Sequence, residues 1–173
     1  MVARCGYTVE QNQIIERRVQ INWDLGFDKE AKRAYIQRII NALPDDYKPA
    51  VDVTTASPIY EARSLSPFYV TRDGVNIEDT WAKTKEELPG FLPGAFDYVY
   101  LSSLSEEQID YVLRQKTFID VFHNPEKAIS TQARSLCALQ ILHNTNNMHL
   151  LNDFSAFVDW FAKTCSKVNM VLG

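Results

Sequence analysis

Residues 63–85 carry the pattern that decides the fold, and they read RSLSPFYVTRDGVNIEDTWAKTK. Within them, residues 68–75 predict a strand that enters a turn at Asp73-Gly74, because Asp-Gly is a favoured turn pair. Asn76 then suits a helix N-cap, and the following helix has acids early and lysines late, as its dipole prefers. The stretch therefore predicts a strand, a turn and a helix in succession.

The rest of the chain adds further helices and a few short strands. Apolar residues at helical spacing and local capping signals predict helices at 8–22, 28–43, 77–88, 105–116, 128–144 and 153–168. Short β-branched or aromatic runs predict strands at 50–55, 68–75, 96–103 and 117–122. We expect a mainly helical α+β fold in a single domain, 1–173, with an N-terminal helical extension, 1–45, packed on a core of 46–173.

Composition limits the class of protein. Eighteen Lys and Arg against 22 Asp and Glu give a net charge of −4, so no global attraction to nucleic acid or anionic lipid is expected. A local basic groove stays open. Cys5, Cys137 and Cys165 are far apart, which favours reduced thiols in a cytoplasmic protein. No apolar run is long enough for a membrane helix, no secretory signal is recognised, and no metal-ligand motif is present.

The helix expected after Asn76 carries the candidate chemistry. Glu78 and Lys85 are seven residues apart, so both project from one side, about 10 Å apart along the axis. Trp81 lies between them. A carboxylate, an aromatic ring and an ammonium group on one stripe suit a pocket for a nucleoside or a sugar phosphate. The alternative is ordinary packing, with Glu78 and Lys85 in solvent and Trp81 half-buried.

Residues 65–85 resemble the entry motif of the NADAR family. That family has a LSNFYP segment, a short strand, an Asp-Gly turn and a helix reading roughly VEHxYxxxKA. The matching residues here are Leu65, Ser66, Pro67, Phe68, Tyr69, Asp73, Gly74, Val75, Ile77, Glu78, Trp81 and Lys85. Pro67 replaces the usual Asn and Asp79 the usual His, while the interval from Glu to Lys is kept. Residues 52–55, DVTT, are similar to a DVTS segment in a related group.

The resemblance implies a NADAR-like fold and hydrolysis of N-glycosidic bonds. NADAR substrates include ADP-ribose attached to nucleobases, notably guanine in DNA, and riboflavin-pathway intermediates. By this resemblance, Glu78 would stabilise the oxocarbenium-like transition state and activate water. Lys85 would polarise the sugar, or form a transient Schiff base with the ribose aldehyde if it were buried. One biological use would be the removal of ADP-ribose from DNA that a toxin has modified.

Five further residues are assigned to substrate by the same resemblance. The pocket would be lined by three aromatic residues that stack on a base, Trp81, Phe68 and Tyr69. Ser66 would bind the diphosphate, and Arg134 would contact a phosphate. The expected partner is ADP-ribose or an ADP-ribosylated nucleic acid, with no cofactor, no metal and no membrane.

Two other functions stay open at this point. One is a non-catalytic nucleotide-binding or inhibitor protein on the same fold, and the other is a small helical interaction module. Asp120 and His123 form a second candidate acid and base, although structural roles are favoured for both. The aromatic C-terminal helix is expected to be core, or a homodimer contact.

Overall fold

The fold combines seven strands with seven α-helices in the described residues, so it is α+β as the sequence predicts. The structure, a computed structural model, describes residues 1–87, 92–128, 130–165 and 169–172. Its strands are β1 Val2–Glu10, β2 Gln13–Ile21, β3 Ala50–Asp52, β4 Thr71–Arg72, β5 Val75–Asn76, β6 Thr117–Ile119 and β7 Asn169–Leu172. Its α-helices are α1 Lys29–Ala42, α2 Tyr60–Arg63, α3 Ile77–Glu87, α4 Ala95–Leu101, α5 Glu106–Leu113, α6 Gln132–Asn144 and α7 Phe154–Thr164. Short 3-10 helices cover Asp45–Tyr47 and Met148–Asn152.

A mixed sheet with the order β3-β6-β1-β2-β7 forms the centre of the domain. The β1 strand pairs antiparallel with both β2 and β6, whereas β3 joins β6 and β7 joins β2 in parallel. A separate two-stranded ribbon, β4-β5, lies immediately before α3. Residues near the amino terminus therefore occupy the middle of the sheet, beside strands from the centre of the chain.

The helix predicted at 8–22 is wrong, because this segment belongs to the β1-β2 hairpin. Gln11 and Asn12 both have positive φ, 51° and 57°, as a tight two-residue hairpin turn requires. Both faces of β2 carry buried apolar residues, because Ile14 belongs to one core cluster and Ile15 and Val19 belong to the other. Burial on both faces removes the alternation of apolar and polar residues by which a strand is usually recognised.

The strand predicted at 96–103 is also wrong, because residues 95–101 form α4. Gly94 has a φ of 89° and begins this helix. Phe96 and Tyr100, four residues apart, stack with their ring centroids 5.9 Å apart, which is the spacing of neighbours on a helix. Aromatic and β-branched residues favour strands locally, but here tertiary packing outweighs that preference.

Helices form a layer on each face of the sheet. On one face, α1 packs through Tyr35, Ile36 and Ile39 against the side of β2 that carries Ile15 and Val19. The other face is covered by α6, whose residues 133–142 are all buried. The helices α4, α5 and α7 contact α6 or each other around it. This arrangement places the amino ends of α4 and α6 near α3.

Several local predictions are confirmed. The strands predicted at 50–55 and 117–122 contain β3 and β6, and Asp73 and Gly74 form the two-residue turn of the β4-β5 ribbon. Ser105 and Gln108 form the reciprocal hydrogen bonds of a capping box at α5. Within the ranges described, no helix is both long and apolar enough to cross a membrane.

Candidate functional site

A cavity of about 400 Å³ opens beside α3, a size within the range of small-ligand pockets. It is bordered by α3, by the amino end of α4 and by the residues that begin α6. The lining residues are Glu78, Trp81, Lys85, Leu92, Gly94, Phe96, Asp97, Ser130, Thr131 and Gln132. The acid, the aromatic ring and the amine predicted to share one stripe of α3 thus line the same cavity.

The loop before α3 fixes where the candidate acid lies. The carbonyl oxygen of Pro67 accepts hydrogen bonds from the backbone N–H groups of Ile77, at 3.0 Å, and Glu78, at 3.2 Å. The Asn76 side chain accepts from the N–H of Asp79 at 2.9 Å, so Asn76 caps the helix as predicted. Ile77 is fully buried. The hydrogen bonds to the Pro67 carbonyl and the Asn76 cap therefore fix the position of the first turn of α3.

Glu78 has a perturbed environment. Its side chain is half-buried, and burial raises the pKa of the Glu78 carboxyl above its ordinary value. The negative charges of Asp79 and Asp120 raise that pKa further, and the positive charge of Lys85 opposes them. A carboxyl group with a raised pKa on a cavity wall is a recognised sign of a functional site.

Trp81 and Lys85 differ in their exposure. Trp81 is half-buried and meets Phe96 edge to face, with ring centroids 5.8 Å apart. Both rings line the cavity, which gives it an aromatic wall. Lys85 is exposed, so it lines the cavity from its solvent side. The burial that a Schiff-base role would require is not present around Lys85.

Asp97 is a cavity residue that the sequence reasoning missed. It is buried, and one carboxylate oxygen accepts a hydrogen bond from the Ser135 hydroxyl at 2.6 Å. Burial raises the pKa of Asp97, while the Ser135 hydrogen bond and the nearby charge of Arg134 act in the opposite direction. The misprediction of α4 as a strand hid this residue, since a strand would not have aimed it at α3.

Thr131 is a second cavity residue that was missed. It caps α6, with its side-chain oxygen accepting from the N–H of Ala133, and its hydroxyl donates to Asp120 at 2.7 Å. The amino end of α6, with Ser130 and Gln132 beside Thr131, therefore faces the cavity. A helix amino end carries partial positive charge, which favours anions.

Arg134 and Ser66 do not line the cavity. Arg134 is buried, donates to the backbone carbonyl of Cys165, and lies over the Phe161 ring at 5.9 Å. Ser66 is buried in its turn, where its hydroxyl oxygen accepts from the N–H of Phe68 at 3.2 Å. Both side chains support the elements around the cavity.

Phe68 and Tyr69 also lie outside the cavity. Their exposed fractions are 61% and 54%, and Tyr69 lines a different groove, on the side of α2 and α5. The structure thus groups Glu78, Trp81 and Lys85 and separates them from the other four predicted site residues.

Asp120 has structural hydrogen-bond partners, and His123 is buried beside Tyr7. The Asp120 carboxylate accepts from the Phe122 N–H and from the Thr131 hydroxyl. His123 is buried with its ring 6.2 Å from that of Tyr7, and burial lowers the pKa of His123. Among the residues that the structure describes, no group of three or more His, Cys, Asp or Glu side chains is placed to hold a metal ion.

The aromatic face of α7 packs within the chain. Phe157 and Phe161 are buried, and the Phe157 ring lies 5.5 Å from Tyr98 and 5.7 Å from Trp160. This face is therefore part of the core, as one of the two sequence-based alternatives expected. A homodimer through α7 stays a prediction.

Comparison with known families bears on the same region. A model of the DarT1-associated NADAR antitoxin family matches residues 91–170, just under half of the chain. This partial match is consistent with a NADAR-like family, which residues 65–85 also resemble. The matched segment supplies the α4 and α6 sides of the cavity, whereas α3 precedes it. No curated protein matches the chain.

Proposed function

We propose, from the resemblance to the DarT1-associated NADAR antitoxin family and from the cavity beside α3, that this protein is an N-glycosidase that removes ADP-ribose from a modified nucleobase, such as guanine in DNA. The observation that carries the proposal is that Glu78, Trp81 and Lys85 line one cavity, which α4 and α6 complete. Its biological use would be to reverse toxin-catalysed ADP-ribosylation in the cytoplasm.

Glu78 is the proposed catalytic carboxylate. In the reaction the bond between the base nitrogen and C1 of the ribose breaks, and the base keeps the electron pair and takes up a proton. Water forms the new bond to C1 and yields free ADP-ribose. Positive charge that builds up on C1 and the ring oxygen is stabilised by a nearby carboxylate, which can also accept a proton from the attacking water. The half-buried position of Glu78 strengthens this electrostatic effect relative to bulk water.

The aromatic wall is the proposed binding surface for a base. Trp81 meets Phe96 edge to face, so the pair forms a corner against which a planar ring can stack. Stacking on an aromatic side chain contributes about 1–3 kcal/mol per base and tolerates any base. Specificity must then come from polar groups, and Asp97 and Gln132 line the same cavity.

Lys85 and the amino end of α6 are the proposed partners of the diphosphate. Lys85 is exposed at the cavity, so we assign it an electrostatic role towards anionic substrate and not a covalent one. On the opposite wall, the α6 dipole and the hydroxyl of Ser130 favour negative charge. Ser66 and Arg134 act indirectly in this proposal, by holding the turn before α3 and the α6–α7 contact.

The test is the release of ADP-ribose from an oligonucleotide that carries one ADP-ribosylated guanine. We expect the purified protein to convert it to the unmodified oligonucleotide and free ADP-ribose, both measured by liquid chromatography with mass detection. The absence of product at protein concentrations above that of the substrate would refute the glycosidase. If ADP-ribose still bound under those conditions, as measured by calorimetry, the non-catalytic nucleotide-binding alternative would replace it.

A further inference from the structure

Three exposed aromatic side chains lie outside the cavity, on α2 and on the turn before the β4-β5 ribbon. Tyr60, Phe68 and Tyr69 have exposed fractions of 71%, 61% and 54%, and we call these three residues the aromatic platform. Tyr60 and Tyr69 line the same groove, which has a volume of about 530 Å³, and Phe68 adjoins Tyr69 in the chain. Large aromatic side chains grouped at the surface generally mark a binding site.

The backbone that carries Phe68 and Tyr69 is fixed by hydrogen bonds although both side chains are exposed. The carbonyl oxygen of Ser66 accepts from the N–H groups of Tyr69, at 2.8 Å, and Val70, at 2.9 Å, while the Ser66 hydroxyl holds the N–H of Phe68. The neighbouring Leu65 is fully buried, so the turn is anchored in the core. A backbone that is fixed before binding loses little further conformational freedom when a ligand stacks on the rings that it carries.

The platform is tied directly to the helix that carries Glu78. Pro67, one residue before Phe68, accepts hydrogen bonds from the first N–H groups of α3. On the other side, the groove includes Ser103, just beyond the carboxyl end of α4, whereas Asp97 near its amino end lines the cavity. A seven-residue helix spans about 10 Å. The groove and the cavity thus lie towards opposite ends of α4, about 10 Å apart along its axis.

The aromatic and polar lining of the groove suits the stacking of bases better than it suits an apolar protein anchor. Apart from the buried Val70, the groove has no aliphatic lining residue, and an anchor pocket for a protein partner is usually apolar at its centre. The guanidinium groups of Arg63 and Arg114 lie over the rings of Tyr60 and Tyr111, at 5.8 Å and 6.0 Å. In such arginine–tyrosine pairs the ring can stack on a base, and the guanidinium group can bind a phosphate. The acidic Glu61 and Glu107 border the same groove and offset these charges, so the rings must supply most of the binding.

We propose that the aromatic platform binds the single-stranded DNA that flanks the modified base, by stacking unpaired bases on Tyr60, Phe68 and Tyr69. This inference rests on the proposed function for the identity of the strand, but the platform binds unmodified DNA as well. The protein therefore recognises its substrate at two places: ADP-ribose in the cavity, and one or two neighbouring nucleotides on the platform.

The test measures binding and turnover separately. Binding of a fluorescein-labelled, unmodified ten-nucleotide single strand is followed by fluorescence anisotropy for the wild type, for Phe68→Ala with Tyr69→Ala, and for Phe27→Ala. Phe27 is 75% exposed in the loop before α1, so it is a matched control for the loss of a surface ring. We expect at least a tenfold weaker affinity in the double variant and no change in the control. Tyr69→Phe keeps the ring and should retain the affinity.

Turnover distinguishes this inference from the proposed function. With an ADP-ribosylated oligonucleotide, the double variant should show a raised KM, whereas the turnover of ADP-ribosylated guanosine, which has no flanking bases, should not change. Wild-type protein that does not bind the single strand, or a double variant that binds it equally well, would overturn the inference even if the enzyme is active. Loss of strand binding in the double variant of an inactive protein would support the platform and refute the glycosidase. An affinity loss caused by unfolding would be recognised by a lowered thermal midpoint.

Discussion

Gly94 lies at the junction of the cavity and α4, and replacing it with alanine tests how closely this region is packed. Its φ of 89° is in the left-handed region that side chains other than glycine rarely adopt. A Cβ atom at this position would lie 2.9 Å from Cγ of Phe161 and 3.0 Å from its Cβ and Cδ1. Phe161 is buried in the core, so its ring has little room to move.

The magnitude follows from two contributions. Left-handed backbone costs about 1–2 kcal/mol for an alanine, and overpacking a buried ring costs typically about 1–3 kcal/mol more. Gly94→Ala should therefore lower the free energy of unfolding by about 2–5 kcal/mol. For a domain of this size, that corresponds to a fall of roughly 4–20 °C in thermal midpoint.

Gly74→Ala is the matched control. Gly74 has a similar φ of 81°, but apart from its chain neighbours no atom of the described residues lies within 4 Å of the position of its added Cβ. Only the backbone contribution of about 1–2 kcal/mol should appear there. The assay is urea unfolding followed by circular dichroism for both variants and the wild type. Equal losses in the two variants would refute the contact between Gly94 and Phe161, and with it the packing of α7 against the start of α4.

Three further predictions concern pH and capping. Burial raises the pKa of Asp52 to about 7, although hydrogen bonds from Thr54 and from the N–H of Val121 act in the opposite direction. The contribution of the protonated form to stability is therefore fully present below about pH 4 and is lost as the pH rises through 7. Asp52→Asn should remove this fall in stability, and stability curves that stay parallel for the variant and the wild type would contradict the prediction. Because the pKa of Glu78 is raised and the reaction needs its carboxylate, activity should decline on acidification at a pH above the ordinary glutamate range, as a pH profile of single-turnover rates would show. Ser105→Ala removes the α5 capping box and should cost about 1 kcal/mol in urea unfolding, whereas an unchanged midpoint would argue against the cap.

The sequence predicted α3 and its neighbours well because their signals are local. Asp73-Gly74, the Asn76 cap and the seven-residue interval from Glu78 to Lys85 each depend on residues close together in the chain. In this segment a turn pair, a helix cap and a helical stripe all follow one another in the chain and predict the same strand, turn and helix. The shared cavity at Glu78, Trp81 and Lys85 follows from that stripe.

The rest could not be predicted because it depends on contacts between distant segments. The β1 strand lies in the middle of a sheet covered by helices on both faces, which removes the alternation that marks a strand. The α4 helix contains strand-favouring residues, and only its packing against α6 and α7 makes it helical. Asp97 lies 19 residues after Glu78 and Thr131 lies 53 residues after it, so local spacing gave no signal that either lines the same cavity.

The exposure of Phe68 and Tyr69 has a similar origin. The place of both residues in the LSPFY segment predicted that they would line the cavity, but neither does. The backbone of the same turn nevertheless fixes α3, because the Pro67 carbonyl accepts hydrogen bonds from the first N–H groups of the helix that carries Glu78. The segment therefore serves the cavity through its backbone. A sequence pattern can identify such a segment. It does not show which of its side chains contact a ligand and which only stabilise the surrounding structure.

The most direct test of the central claim compares Glu78→Gln with Glu86→Gln. Both changes remove one carboxylate from α3, but Glu86 is exposed and does not line the cavity. The measurement is the single-turnover rate of ADP-ribose release from an oligonucleotide with one ADP-ribosylated guanine, with protein in excess and folding checked by circular dichroism. We predict a loss of at least a hundredfold for Glu78→Gln, the lower end for a catalytic acid or base, and less than about twofold for Glu86→Gln. A folded Glu78→Gln variant that releases ADP-ribose at the wild-type rate would contradict the account.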